Sequence, residues 1–187
     1  MEDRSHPGSR AKAFRQTGMM LGLLSISISC ALAQSIDEYQ AKAAFLFNFA
    51  KFVEWPAGAV GTENDPIRIC VLGPSPFGSS LENLLRGKDI AGRPLLAVKA
   101  ADLREASSCQ ILFVAASECK RFKPMAAELS AANVLTVGES ESFLSLGGIV
   151  NFKVEDGRIR FDIRLAAADQ AKLRISSKLL SLARIVK

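Results

Sequence analysis

The feature that most restricts the fold is a series of four short apolar runs, separated by polar or helical stretches. The runs lie at residues 67–72, 90–98, 109–115 and 133–137. Helices are predicted between or after them, over residues 81–86, 118–129 and 139–144. Short apolar runs that alternate with helices are typical of parallel strands buried between helical layers. The sequence therefore predicts an α/β fold: a single three-layer domain with a mostly parallel sheet flanked by helices.

The pattern changes near the C-terminus. Residues 149–154 and 159–165 flank Asp156 and Gly157, a pair typical of a two-residue turn in an antiparallel hairpin. The second of these strands alternates, with Ile159, Phe161, Ile163 and Leu165 inward and Arg158, Arg160, Asp162 and Arg164 outward. We therefore expect an antiparallel edge with one solvated face. A closing helix is predicted over residues 166–185, basic at its C-terminal end as the helix dipole favours.

Residues 36–55 precede the first strand and predict an aromatic-rich helix that Pro56 stops. Because Lys42 and Lys51 leave only a narrow polar strip, this helix must be covered on most sides. Two interpretations stay open: a central core helix, or an aromatic face that meets another chain. The candidates for a partner or dimer interface are Phe45, Phe49, Phe52 and Trp55.

Residues 1–33 combine a basic region, an apolar run and a small-residue cleavage site. This pattern predicts a secretory signal peptide cut between Ala33 and Gln34, which leaves residues 34–187 as one domain without a membrane span. Cys30 raises the alternative of a lipid anchor. The only histidine, His6, would leave with the signal peptide.

The composition of residues 34–187 argues against several classes of function. Without histidine, this part of the chain cannot build Ser-His-Asp catalysis or the usual imidazole metal sites. Removing residues 1–33 leaves 20 basic and 17 acidic residues, and no basic run is interleaved with aromatics, so we expect no nucleic-acid partner. We predict no catalytic residue, no cofactor and no metal.

Three cysteines remain: Cys70, Cys109 and Cys119. Cys70 and Cys109 lie in the first and third predicted strands, which are neighbours in flavodoxin-like strand orders. They form either a disulfide, which export would favour, or two buried free thiols.

Open α/β sheets bind ligands at the carboxyl ends of their strands. The candidate ligand-binding residues at those ends are Gly73, Ser75, Gly78, Ser117 and Glu139. Residues 73–78 have the glycine spacing of a phosphate-binding loop but lack its lysine, which favours a plain turn. The strand ends support an alternative function, a periplasmic sensor module that binds a small molecule and acts on another envelope receptor or kinase.

Six segments carry a resemblance to a known family. They are DEYQAKAAFLFNFAKFVEWP, IRICVLGPSPFG, SSCQILFVAASE, NVLTVGE, GGIVNFKVEDGRIRFDI and LRISSKLLSLARIV, in that order. They span nearly the whole of residues 36–185, and their order is more specific than any one of them. On these segments the chain resembles the YfiR-like periplasmic proteins.

The resemblance implies a non-enzymatic protein of the Gram-negative periplasm, dimeric and with internal disulfides. It implies two partners: an inner-membrane diguanylate cyclase like YfiN, which the protein represses through its periplasmic sensor domain, and an outer-membrane lipoprotein like YfiB, which sequesters the repressor. Release of the cyclase would raise cyclic-di-GMP and promote biofilm formation. One family disulfide falls at Cys70 and Cys109, whereas no cysteine pair here matches the second.

Overall fold

A computed structural model of the protein describes residues 38–62 and 64–187. The predicted signal peptide, its cleavage site between Ala33 and Gln34, and Cys30 lie outside the described residues. Within the described ranges, no helix is long and apolar enough to cross a membrane.

The helices are α1 (residues 38–52), α2 (Ser80–Leu85), α3 (Leu103–Ser107), α4 (Cys119–Ala131), α5 (Leu165–Gln170) and α6 (Ser177–Leu180). The strands are β1 (Val53–Glu54), β2 (Ile67–Leu72), β3 (Asp89–Ile90), β4 (Arg93–Ala100), β5 (Ile111–Val114), β6 (Leu135–Gly138), β7 (Val150–Glu155), β8 (Arg158–Arg164), β9 (Arg174–Ile175) and β10 (Arg184–Val186). A short 3-10 turn, Ala116–Glu118, joins β5 to α4.

The main sheet has eight strands in the order β10-β8-β7-β6-β5-β2-β4-β3. Strands β4, β2, β5, β6 and β7 are parallel neighbours, and β7 and β8 form the antiparallel hairpin. The mixed α/β fold, the mostly parallel sheet and the hairpin are thus confirmed. Strand β2 lies beside β5, as in flavodoxin-like orders.

The sheet separates two apolar clusters, and β5 contributes to both. Ile111 and Phe113 belong to the larger cluster, with Phe49 of α1, whereas Leu112 belongs to the smaller one, with Phe122 of α4. Successive side chains of a strand point to opposite faces, so a strand covered on both sides must be apolar throughout. That requirement explains the continuous apolar run in the sequence.

Cys70 on β2 and Cys109, just before β5, form a disulfide with Cα atoms 6.0 Å apart. The bridge links β2 to the residues that lead into β5, its neighbour in the sheet. Cys119 is a buried free thiol, and its Sγ forms a hydrogen bond of 2.8 Å with the Oγ of Ser140.

The predicted closing helix over residues 166–185 is wrong. The segment forms α5, β9, α6 and β10 instead. Lys172, with a φ of 55°, turns the backbone into the left-handed region and ends the helical run after α5. Strand pairing of β9 with β1 and of β10 with β8 then outweighs the helical propensity of the sequence.

Two further predictions need correction. Residues 141–147 form successive turns in place of the short helix expected over residues 139–144. Strand β8 is not an edge, because β10 pairs with it in parallel. As a result Asp162, expected on a solvated face, is buried.

Candidate functional site

A cleft of about 750 Å³ opens at the carboxyl ends of β5 and β6. It is bordered by the first described turn of α1, by residues that follow these two strands, and by the outer part of β7. The lining residues are Glu38, Tyr39, Lys42, Ala116, Glu139, Glu141, Asn151, Phe152, Lys153, Val154 and Glu155. Doubly wound sheets bind ligands at this end of their strands.

Lys42 is the most enclosed charge in the cleft, with a side chain that is only 4% exposed. Its ammonium group lies 2.7 Å from a carboxylate oxygen of Glu139 and also bonds Glu38, one helical turn earlier. Burial disfavours the charged form, but the hydrogen bonds to Glu139 and Glu38 outweigh it. The pKa of Lys42 therefore lies above its ordinary value.

Tyr39 and Glu139 complete this buried group. The Lys42 ammonium sits 4.4 Å from the centre of the Tyr39 ring, and the Tyr39 hydroxyl lies 3.4 Å from the Glu139 carboxylate oxygens. Burial raises the pKa of Tyr39, and the negative charge of Glu139 raises it further. Glu139 thus connects the start of α1 to the end of β6, so the two elements that border the cleft are held together by charge.

Asn151 lies where β7 enters the cleft and is only 2% exposed. Its side-chain oxygen has no hydrogen-bond partner in residues 38–62 and 64–187. A buried amide oxygen without a partner costs on the order of 1–3 kcal/mol.

Next to the cleft, a buried carboxylate joins three strands. Asp162 on β8 accepts hydrogen bonds of 2.9 and 2.7 Å from Arg184 on β10, and lies 2.7 Å from the ammonium of Lys153 on β7. Burial opposes ionisation of Asp162, but the hydrogen bonds from Arg184 and Lys153 prevail and hold its pKa below the ordinary value of 3.8. Lys153, which lines the cleft, thus places its ammonium group at Asp162 and not at a carboxylate of the cleft.

The structure separates the predicted ligand-binding residues. Glu139 lines the cleft, whereas Gly73, Ser75 and Gly78 lie in the loop after β2 and Ser117 in the turn after β5, outside the cleft lining. Gly73 has a φ of 93°, and a Cβ at this position would lie 2.5 Å from the Cγ of Glu118. The loop after β2 is thus closely packed on the turn after β5, and the two turns meet where the strand order reverses.

The aromatic residues of α1 divide between core and surface. Phe49 is fully buried, stacked on Phe152 at 5.8 Å and edge-on to Phe161 at 5.2 Å, and is a core residue of the chain. Phe45, Phe52 and Trp55 are half-buried. A role of these residues in an interface stays a prediction. For Phe49 such a role would be indirect, through its neighbours, since the ring reaches no surface.

Sequence reasoning missed Lys42 and Asn151 as parts of the site. Lys42 was assigned to a polar strip, yet Glu38 four residues before it gives the spacing of an ion pair on a helix. Asn151 had a weaker signal, an amide within an apolar strand. Within the described residues, no group of three or more His, Cys, Asp or Glu side chains is arranged to hold a metal ion.

The model of a protein family described as YfiR/HmsC-like matches residues 39–184. No protein with a curated description matches the chain.

Among solved structures, a conserved domain protein from Vibrio cholerae O1 biovar El Tor is similar at 15% identity and a TM-score of 0.45, over 64% of this chain and 54% of that chain. An ABC domain in complex with L-Trp from Streptococcus pneumonia is similar at 11% identity and a TM-score of 0.45, over 64% of this chain and 55% of that chain. The chain thus spans about half the length of these two structures.

Proposed function

Because the chain belongs to the YfiR/HmsC-like family, we propose that it binds the periplasmic sensor domain of an inner-membrane diguanylate cyclase and represses the enzyme. The family as such indicates a periplasmic regulator of cyclic-di-GMP signalling. The direct contact with a YfiN-like cyclase and the repression are the content of the proposal. The observation that carries it is the family match over residues 39–184.

The proposed mechanism is a shift of population and requires no chemistry by this chain. A repressor that binds the inactive state of a sensor domain better than the active state shifts the population toward the inactive state and so keeps the enzyme inactive. Reversing a ratio from 99:1 to 1:99 requires about 10⁴-fold tighter binding to one state, which is about 5.5 kcal/mol. A contact surface with several well-packed aromatic residues can supply a difference of this size.

The half-buried aromatic residues at the C-terminal end of α1 are the proposed surface for the partner or for a second copy of the chain. Phe52 and Trp55 lie beside the short ribbon of β1 and β9, and the Trp55 indole N–H is buried without a hydrogen-bond partner among the described residues. We further propose a homodimer and release by an outer-membrane lipoprotein like YfiB.

The test is a pull-down with residues 34–187 from solubilised envelope, with bound proteins identified by mass spectrometry. Recovery of a membrane diguanylate cyclase, reduced by Trp55→Ala in a folded protein, is the expected result. Repeated failure to recover any cyclase with folded bait, together with unchanged cyclic-di-GMP in cells that lack the protein, would exclude the proposal.

The cleft favours a second candidate, a periplasmic sensor of a small molecule that acts on another envelope receptor or kinase. Its volume of about 750 Å³ falls within the range of small-molecule sites, Glu139 offers a carboxylate acceptor, and Asn151 lies in its lining. Thermal stabilisation by a defined metabolite, lost in Asn151→Leu but retained in Trp55→Ala, would support this candidate over the first.

A further inference from the structure

The edge of β7 that borders the cleft lacks a strand partner over its outer part. Strand β6 pairs with β7 only at Val150 and Asn151, and β7 then continues to Glu155. From Phe152 to Glu155, the described residues place β8 on one side of β7 and no strand on the other. An unpaired edge presents free backbone N–H and C=O groups and is a template for another strand.

The hairpin turn fixes which backbone groups face the cleft. Asp156 and Gly157 have φ values of 51° and 70°, as a two-residue turn requires, and Glu155 pairs with Arg158 to close it. The two residues that close such a turn exchange both backbone hydrogen bonds. Along the strand, the backbone groups of successive residues then point alternately toward the partner strand and away from it. Glu155 and Lys153 therefore point their backbone groups at β8, whereas Val154 points its groups away from β8.

The lining of the cleft fits this geometry. All of residues 151–155 border it, as expected when the cleft runs along the edge of the strand rather than along one face. Val154 is 53% exposed, and Asn151, at the inner end of the edge, has the unpartnered oxygen described above. A chain laid beside β7 would bring backbone N–H and C=O groups along this edge.

The charge of the cleft indicates what such a chain carries. Its lining has four carboxylates, at Glu38, Glu139, Glu141 and Glu155, against two ammonium groups. Lys42 is paired with two of these carboxylates, and Lys153 is paired with Asp162 outside the lining. Arg184 bonds Asp162 and lies 3.9 Å from Glu155. With Asp162 and Arg184 included, five carboxylates face three cations. The cleft is therefore negative, which favours lysine or arginine side chains on an occupant.

We propose that the cleft binds an extended, basic segment of a partner protein as an added strand beside β7. The free edge from Phe152 to Glu155 accepts about four residues, or roughly 13 Å of extended chain. Within this edge the backbone groups of Phe152 and Val154 face away from β8, two residues or roughly 7 Å apart, a spacing that an extended peptide matches. The inference depends on the proposed function only for the identity of the partner.

The first test uses a capped hexapeptide of alternating lysine and valine as the probe, with binding followed by fluorescence anisotropy and amide protection by hydrogen exchange. We expect saturable binding by residues 34–187 and new protection of the Val154 amide. Two further peptides are N-methylated at the odd or at the even residues, so that each lacks the N–H donors of one edge. At least one of them should bind the protein about tenfold more weakly than the unmethylated peptide. A peptide with glutamate in place of lysine should not bind.

The matched variants are Val154→Pro and Ala97→Pro. Val154→Pro removes an N–H that faces the cleft and leaves the bonds between β7 and β8 in place. Ala97 lies on β4, where Leu95 donates its N–H to Lys88, away from β2, so the N–H of Ala97 also points outward at a distant edge. Val154→Pro should lose peptide binding, and Ala97→Pro should keep it.

Three results would overturn the inference. The first is that folded protein does not bind the peptide at a concentration of about 1 mM. The second is that the two proline variants bind the peptide equally well. The third is that, without peptide, hydrogen-exchange protection of the Val154 amide rises with protein concentration, which would assign the edge to a second copy of the chain. The pull-down of the cyclase is independent of the peptide assay. If wild type and Val154→Pro recover the cyclase equally, the proposed function stands, the cyclase is not the protein that supplies the strand, and the peptide assay alone decides this inference.

Discussion

Replacing Lys42 with methionine tests whether the buried ion pair holds the cleft together. Methionine keeps most of the length of the side chain and removes the charge. Glu38, with a side chain that is 29% exposed, can turn to solvent, but Glu139 is only 13% exposed and would lose its cationic partner. The change therefore leaves one carboxylate largely buried and uncompensated.

Removing one partner of a buried pair costs about 3–5 kcal/mol, and the partial exposure of Glu139 places this case near the lower end. We expect Lys42→Met to lower the free energy of unfolding by about 3 kcal/mol, or the Tm by roughly 6–12 °C for a domain of this size. Lys42→Met with Glu139→Gln should recover at least about half of the loss, because a neutral amide costs less to bury than a carboxylate.

The assay is urea unfolding of residues 34–187 at pH 7, followed by circular dichroism. Lys51→Met is the matched control: the residue lies on the same helix but is exposed, so its change should stay within about 0.5 kcal/mol. Because the folded-state pKa of Lys42 is raised, its stabilisation is complete below about pH 10.5 and is lost as pH rises through the folded value. A loss under about 1 kcal/mol, equal to that of the control, would refute the reasoning.

Three more predictions follow from buried groups. Phe49→Ala should lower the free energy of unfolding by about 3–5 kcal/mol in urea titrations, and a folded variant with near-normal stability would contradict a core position. Reduction of Cys70 and Cys109 should cost about 4 kcal/mol for a separation of 39 residues, which unfolding with and without reductant measures; an unchanged midpoint would argue against the bridge. Asp162→Asn should destabilise the protein at pH 7, and its difference from wild type should shrink as pH falls below about 3.8, because the lowered pKa gives stability that is present above that value and lost below it. Glu141→Gln, an exposed control, should show no such convergence.

The central sheet was predictable because its signal is local. The predicted strand over residues 67–72 and the observed strand β2 have the same bounds. The prediction is that good because a strand covered on both faces is apolar along most of its length. The turn at Asp156 and Gly157 was equally clear, because few residue pairs adopt two successive positive φ values. The disulfide between Cys70 and Cys109 agreed with the family resemblance and with the predicted neighbours in the sheet.

The site and the C-terminal segment depend on distant parts of the chain. The helical pattern of residues 166–185 was outweighed by strand partners more than ten residues away, which no local window contains. Lys42 is buried because Glu139 reaches it across 97 positions. Asn151 borders the cleft because β6 ends beside it, and the sequence of β7 does not show where β6 ends.

Strand β1 follows α1 directly, yet it pairs with β9, so Val53 must meet Ile175 across 122 positions. The backbone of Ser176 also donates to the carbonyl of Phe52 at 3.0 Å, which fastens the same two ends. Closing so long a loop costs conformational entropy, and the contacts that offset this cost can form only when nearly all of the chain is present. Such non-local contacts slow folding. During export, which delivers the N-terminus first, β1 would be among the first segments to arrive, and its pairing would wait for residues 174–175. The aromatic end of α1, next to β1, would then be accessible to periplasmic chaperones until β9 has crossed the membrane.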